Sequence, residues 1–363
     1  MKGACGSENH LLSLLCKLDK EKFEPHYLIL VESGDTFPDY VDLLAKNGVN
    51  TLEMPIHGNF DPGLILRLVR YLRRLQPKVV HTHLIHADLH GTIAAVLARV
   101  PIRISSRHND DRFRIRPLIK LLNRSIAKKQ NRIVGISHWV SDFVRRVEGI
   151  DAGKVVTIHY GLNDFPKVET DRSFLREQYG IPENKRLLIT LGRLTEQKGQ
   201  IHLIRALPKI LDRFPGTMLI MMGEGDLRET YQTEIKKLGL EEEVRILGYI
   251  SPPDRVLRCA ELFIHPSMWE GFGLVLLEAM SFEKPIVASK VSAIPEIVVD
   301  GETGLMVPPG DSEALGHAII RLLENSDESR TMGVNGRKRL EREFSVKKMV
   351  METEKIYGQV LDL

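Results

Sequence analysis

His265-Pro266-Ser267-Met268-Trp269-Glu270-Gly271-Phe272-Gly273-Leu274-Val275-Leu276-Leu277-Glu278 is the stretch that decides the fold. It follows Leu262-Phe263-Ile264, an apolar run that reads as a buried strand ending at His265. A loop with one carboxylate and two glycines comes next, and an apolar helix starts near Leu274. Strand, glycine turn, helix is the building unit of a doubly wound α/β sheet. The first N–H groups of such a helix have no internal partner, and with the helix dipole they suit an anion such as a diphosphate. Gly271 and Gly273 permit close approach of a ligand to the backbone. Glu278 lies about one turn into the helix, so its side chain leans back toward the helix start. A carboxylate there is unsuited to phosphate but accepts hydrogen bonds from a pair of sugar hydroxyls. Glu270, before the glycines, suits a second sugar. The order is sugar acceptor, anion nest, sugar acceptor, which is the pattern of a nucleotide-sugar site. The plain alternative is a capped helix carrying two surface glutamates.

The same alternation extends in both directions. Apolar, β-branched runs occur at Tyr27–Val31, Val79–His83, Ile102–Ser106, Arg132–Ile136 and Val155–His159. They recur at Leu187–Leu191, Met218–Met222, Val244–Leu247, Leu262–His265, Pro285–Ala288 and Leu305–Val307. Between them lie helical patterns such as Leu64–Leu75, Ile201–Phe214 and Glu313–Leu323, with apolar residues three and four apart. Alternating strand and helix implies parallel sheets covered on both faces. Turn residues replace the periodicity across Gly161–Glu169. Two Rossmann-like domains are therefore expected, residues 1–163 and 164–345. Ligands of open α/β sheets sit at the carboxyl ends of the strands, so two such domains facing across a cleft would place the site there. The first domain opens on a glycine turn and a helix from about Ser7, with no residues for a preceding strand. Its sheet is expected to lack its first strand.

Further segments carry chemistry at strand ends. In Gly192-Arg193-Leu194-Thr195-Glu196-Gln197-Lys198-Gly199, Arg193 offers a bidentate fork and Lys198 a point charge, a pair suited to a diphosphate. Gly223, in Met222-Gly223-Glu224-Gly225-Asp226, opens a turn of the kind that approaches phosphates or bases. Ile250, after Leu247-Gly248-Tyr249, is placed to line a base pocket; a plain turn explains either segment equally well. Two histidine groups end strands in the first domain: His81-Thr82-His83 with His86 and Asp88, and Arg107-His108-Asn109-Asp110-Asp111. No cysteine or carboxylate joins them at a metal-ligand spacing, so no metal is expected. His108 is the one expected to meet sugar hydroxyls or help a proton leave an acceptor. Gly6-Ser7-Glu8-Asn9 opens the first helix and suits a phosphate or an acceptor hydroxyl, or a simple cap by Ser7.

Composition bounds the class. The chain has 363 residues, with 43% hydrophobic and 27% charged, ordinary values for a soluble globular protein. No run of about 18 apolar residues is present, and the first residues lack the apolar core of a signal peptide. Three widely spaced cysteines form no C-x-x-C pair, which fits a reducing compartment. A cytoplasmic location is expected. Net charge is +3, but Arg99–Arg146 holds 13 Lys/Arg against three Asp. That stretch suits phosphates or anionic lipid at the inner face of a membrane, or is a solvated helix surface. No recognition motif or aromatic interleaving accompanies it, so nucleic acid is not an expected partner.

The spacing Glu270-x7-Glu278 around Gly-Phe-Gly, with Gly192-Arg193-Leu194 and Lys198-Gly199, resembles glycosyltransferase family 4. Ser292-Ala293-Ile294-Pro295-Glu296, Gly301-Glu302-Thr303-Gly304, Gly6-Ser7-Glu8-Asn9 and Ile136-Ser137 are similar to further family motifs. The resemblance covers nearly the whole chain and implies a retaining, metal-independent enzyme of the GT-B fold. It implies that Arg193 and Lys198 bind the donor diphosphate and stabilise its departure, and that Glu278 holds the ribose hydroxyls. Glu270 would contact the transferred sugar near its C3 hydroxyl. Backbone N–H groups of Phe272, Gly273, Leu274 and Val275 would meet sugar and phosphate. His108 would touch the transferred sugar, and Gly6 would sit near phosphate or acceptor. The last helix, about Val346–Leu361, would cross back to the first domain.

The expected reaction moves a hexose-type sugar from a UDP or GDP sugar to a hydroxyl of a glycan or lipid-linked acceptor, without a cofactor. Two rivals share the fold and nucleotide site: a nucleotide-sugar 2-epimerase, which needs no acceptor, and a catalytically silent sugar-nucleotide-binding subunit.

Overall fold

The computed structural model describes residues 6–32, 37–110, 112–163, 172–250 and 252–361. The chain divides into two compact units, Met1–Asn163 with Ser345–Leu363, and Asp164–Phe344.

The first unit carries strands β1 (His26–Val31), β2 (Asn50–Pro55), β3 (Val79–His83), β4 (Ile102–Arg107), β5 (Arg132–Gly135) and β6 (Val155–Thr157). All pairings are parallel, but the strands form two sheets among the described residues, β1-β2 and β3-β4-β5-β6. Both rest on one helical layer. Leu28 and Leu30 of β1, Met54 of β2 and Val80 of β3 pack on Leu64, Leu68 and Leu72 of the helix Pro62–Leu75 and on Ala94 and Ala95 of Ile85–Leu97. No pairing joins β1 to β3 among the described residues, and all six residues of β1 are half-buried.

β2 was not among the expected strands. Asn50-Thr51-Leu52-Glu53-Met54-Pro55 pairs with β1 alone and alternates mostly between exposed and half-buried positions. An edge strand of this kind needs no continuous apolar run, so its sequence carries little signal.

The helix Val346–Leu361 belongs to the first unit. Its Val346, Met349, Val350, Ile356 and Tyr357 share a core with Leu14 and Leu18 and with Ile102, Ile104 and Val134 of the sheet. A buried ionic network lies under the carboxyl end of β4. Arg107 Nη1 donates to Asp88 Oδ2 at 2.6 Å, Gln130 Nε2 donates to Asp88 Oδ1 at 2.6 Å, and Glu148 lies 3.9 Å from Arg107 Nε and 4.0 Å from Arg114 Nε. Burial alone would raise the Asp88 pKa, but Arg107 and its other partners outweigh it and hold the carboxyl below its ordinary range.

The second unit is one six-stranded parallel sheet: β7 (Arg186–Leu191), β8 (Thr217–Met222), β9 (Val244–Gly248), β10 (Leu262–His265), β11 (Ile286–Ser289) and β12 (Gly304–Val307). Its order is β12-β11-β10-β7-β8-β9. The chain enters at β7, runs outward through β8 and β9, then returns to lay β10 on the other side of β7 and runs outward again. Every residue of β8, β10 and β11 is buried, because helices cover both faces of the sheet. The reversal of direction between β7 and β10 is a topological switch point, where diverging loops open a crevice at the carboxyl edge.

Candidate active site

The two segments that follow β7 and β10 meet at this switch point. Lys198 Nζ lies 2.5 Å from Glu270 Oε2, and His265 Nε2, at the end of β10, lies 3.4 Å from the same oxygen. Ser267 Oγ and His265 Nε2 are 3.1 Å apart. Burial opposes ionisation of Glu270, but Lys198 first and His265 second outweigh it, leaving the carboxyl at about 2. Glu270 is therefore a carboxylate across the physiological range. Burial lowers the His265 pKa, so that ring is neutral near pH 7. The loops are also laced through their backbones. Met268 N donates to Gln197 O at 2.7 Å, and Gln197 Nε2 donates to Trp269 O at 3.2 Å.

Helix Leu274–Ser281 starts directly after this loop. Gly273 precedes it at φ 103°, a conformation open to glycine. The N–H groups of Leu274 and Val275 are at the first two helical positions and have no partner within the helix. Glu278 is on the same helix. Its Oε2 is buried with no hydrogen-bond partner among the described residues, and burial pushes its carboxyl up to about 7. Among the described residues no donor satisfies this buried oxygen of the carboxylate, the condition in which ligand hydroxyls bind well. Gly271 and Phe272 lie buried between the two glutamates in sequence.

Arg193 is exposed just past Gly192 at the end of β7, and its guanidinium is in no ion pair among the described residues. Lys198, by contrast, is held by Glu270, so the two cations differ in freedom. Gly223 follows β8 at φ 140°, and a Cβ there would overlap the Gly192 carbonyl oxygen. Gly223 N donates to Gly248 O at 2.7 Å, which ties the ends of β8 and β9. Ile250 is half-buried in the loop after β9, next to an exposed Tyr249.

The first unit holds its own candidates. His108 follows β4 and its Nε2 lies 3.0 Å from His83 Nδ1; its Nδ1 bonds the Tyr160 hydroxyl. The His10 ring stacks 4.2 Å from Tyr160 and 6.1 Å from both His83 and His108. Burial lowers the pKa of His10, His83 and His108, so the cluster is neutral at pH 7 and able to exchange hydrogen bonds without carrying charge. His81 is occupied elsewhere, with Tyr357 Oη and Ser106 Oγ each 2.8 Å from its ring nitrogens. His86 is exposed. Gly6 is the first residue of helix Gly6–Lys17 and is exposed.

Residue spacing assigns no role to His265, His10 or Tyr160. His265 carries a signal in retrospect, as a polar residue closing an otherwise apolar strand. His10 has none, because its neighbours come from chain segments far away.

Two family profiles match the chain. One described as Glycosyltransferase Family 4 spans residues 4–164, and one described as Glycosyl transferases group 1 spans residues 171–339. Among curated relatives, the putative glycosyltransferase EpsD of Bacillus subtilis is 28% identical over 91% of this chain and 88% of its own length. The UDP-Gal:alpha-D-GlcNAc-diphosphoundecaprenol alpha-1,3-galactosyltransferase of Escherichia coli is 25% identical over 94% of this chain and 90% of its own length. Among solved structures, Anabaena Alr3699/HepE in complex with UDP superposes with a TM-score of 0.83 at 22% identity, covering 99% of this chain and 98% of that one. At that identity the likeness establishes the fold, GT-B.

Proposed function

The chain belongs to glycosyltransferase family 4, and from that premise we propose that it transfers a hexose-type sugar from a UDP sugar to a hydroxyl of a glycan or lipid-linked acceptor, with retention at the anomeric carbon. The observation that carries the reading is the second unit's switch point. A helix N-terminus, the fixed Lys198–Glu270 pair, the free Arg193 and the unsatisfied Glu278 all belong to the segments following β7 and β10. UDP is favoured over GDP by the names of relatives: a UDP-Gal enzyme of Escherichia coli, and HepE solved with UDP and with UDP-glucose. A lipid-linked acceptor is supported by the diphosphoundecaprenol substrate of the Escherichia coli relative.

In this reading Glu278 accepts the two ribose hydroxyls. The donor diphosphate meets Arg193, Lys198 and the N–H groups from Phe272 to Val275, while Gly223 and Ile250 border the base. Glu270 holds a hydroxyl of the transferred sugar, and its bond to Lys198 fixes both side chains before substrate arrives. Preorganisation of this kind avoids reorganisation at the moment of bond breaking. As the sugar–phosphate bond breaks, negative charge grows on the diphosphate and is met by Arg193, Lys198 and the helix end. The acceptor proton leaves to the departing phosphate, so the neutral first-unit histidines need not act as bases. His108 contacts the transferred sugar and Gly6 the phosphate or acceptor. No metal enters the scheme, since two side-chain cations supply the countercharge.

Thermal-shift titration against UDP-, GDP- and ADP-glucose tests the donor. Stabilisation by the UDP compound alone is expected; stabilisation by GDP or ADP alone would displace UDP. Incubation with UDP sugars and no acceptor must leave the sugar unchanged, since an epimer would make the chain an epimerase. The anomeric configuration of a transferred sugar, read by NMR, decides retention.

A further inference from the structure

We propose that the segment 112–128 is a membrane-insertion element that seats the first unit on an anionic bilayer through exposed leucines as well as through charge. The inference deepens the reading of a lipid-linked acceptor, on which it rests for the biological purpose of the contact.

Helix Pro117–Lys128 is amphipathic, but it is mounted the wrong way round for a soluble protein. Its inward face is Asn123, Ile126 and Ala127, all buried. Its outward face carries Leu118 at 82% and Leu121 at 64% exposure, with Leu122 beside them also exposed. Positions 118, 121 and 122 are spaced three and four apart, so they form one stripe. The preceding turn, Arg112–Ile115, adds exposed Phe113 and Ile115. A single exposed leucine needs no explanation, but five large apolar residues within ten positions make a patch that marks a binding surface.

The charge around the patch selects its occupant. Residues 112–132 contain eight Lys/Arg and no Asp or Glu. Arg116, Arg124 and Lys128 are exposed, and Arg116, Lys120 and Lys128 are in no ion pair among the described residues. Leucines flanked by unpaired cations match the layering of an anionic membrane, with apolar side chains below the phosphates and cationic heads at their level. Other cations of Arg99–Arg146, Arg114 of the segment among them, are consumed internally. Arg107 and Arg114 are buried beside Asp88 and Glu148, and Arg145 pairs with Asp142. The free cations therefore concentrate at the leucine stripe.

The test is co-sedimentation of the full chain with vesicles of phosphatidylcholine alone and with about one-third phosphatidylglycerol, at low and high salt. The triple variant Leu118→Ser, Leu121→Ser, Leu122→Ser is compared with the wild type. The wild type is expected to bind the anionic vesicles at low salt, and the triple variant to bind them about tenfold or more weakly. Its thermal shift with UDP should stay unchanged, which shows that it is folded and separates this result from the donor reading. Failure of the wild type to bind, or equal binding by the triple variant, would overturn the insertion element. So would a wild-type dimer in sedimentation velocity that the three substitutions dissolve, because a second copy would then cover the stripe.

Discussion

Glu278→Gln should make the second unit more stable at alkaline pH while weakening donor binding. Burial raises the Glu278 carboxyl from its ordinary 4.5 to about 7. The folded protein therefore holds a proton on this group between those values that the unfolded chain releases. Stability is fully present below pH 4.5, falls as pH rises through 7, and is level beyond. At about 1.4 kcal/mol for each pH unit between the two values, the whole effect is about 3 kcal/mol, of which about 2–3 kcal/mol falls between roughly pH 5 and 8.5. Glutamine does not titrate, so the variant should lose this slope and gain stability over wild type above about pH 7. The readout is urea unfolding in a Trp139→Phe background. Trp269 is then the sole tryptophan and reports on the second unit, beside the site. Parallel pH profiles for the wild type and the Glu278→Gln variant would refute the reasoning: the buried, unpartnered carboxylate would not be destabilised. A converse measurement uses the ligand. If ribose hydroxyls satisfy the carboxylate, UDP binding near pH 7 releases a proton from Glu278, visible as buffer-dependent enthalpy in calorimetry, and the glutamine variant releases none.

The remaining predictions concern the site and its supports. Lys198→Ala removes the main countercharge of a buried carboxylate, so it should lower transfer by on the order of 10²–10³ and destabilise the second unit by about 3 kcal/mol in urea. Glu270 itself, with its carboxyl held at about 2, contributes stability above pH 4.5 that is lost as pH falls toward 2; acid unfolding of Glu270→Gln should lack that component. Gly223→Ala forces a side chain against the Gly192 carbonyl at φ 140°, which should cost about 1–3 kcal/mol in unfolding and weaken UDP binding. Glu148→Gln breaks the buried network with Arg107 and Arg114 and should destabilise the first unit by about 3–5 kcal/mol, with UDP affinity changed far less than by substitution of Glu278 or Lys198, which lie in the other unit.

Much of the fold was legible because its signals are local. A strand buried on both faces must be a short apolar run, and Val79–His83 and Leu262–His265 coincide with β3 and β10 to the residue. A helix must show three- and four-residue apolar spacing, and a turn after a strand favours glycine where φ is positive, as at Gly192, Gly223 and Gly273. The same local rules fail for β2, whose half-exposed edge position removes the need for an apolar run. They also fail to say which way the helix Pro117–Lys128 turns. Its sequence shows two faces, and only packing puts Asn123 inside and Leu118 outside.

Sequence by itself determined the class of the chain and the chemistry of its loops: parallel α/β architecture, a glycine-flanked helix start, two cations after one strand and two glutamates after another. Tertiary structure decided which of these meet and in what state. Strand order brings β7 beside β10 across some seventy residues of intervening chain, and only then does Lys198 become the partner of Glu270. The two glutamates are eight positions apart and chemically identical, yet one sits at about 2 and the other at about 7. The difference comes from what surrounds each carboxylate: a cation and an imidazole at Glu270, burial with no donor at Glu278 among the described residues. Burial and distant partners are set by the path of the whole chain, and residue types and spacings do not encode them locally.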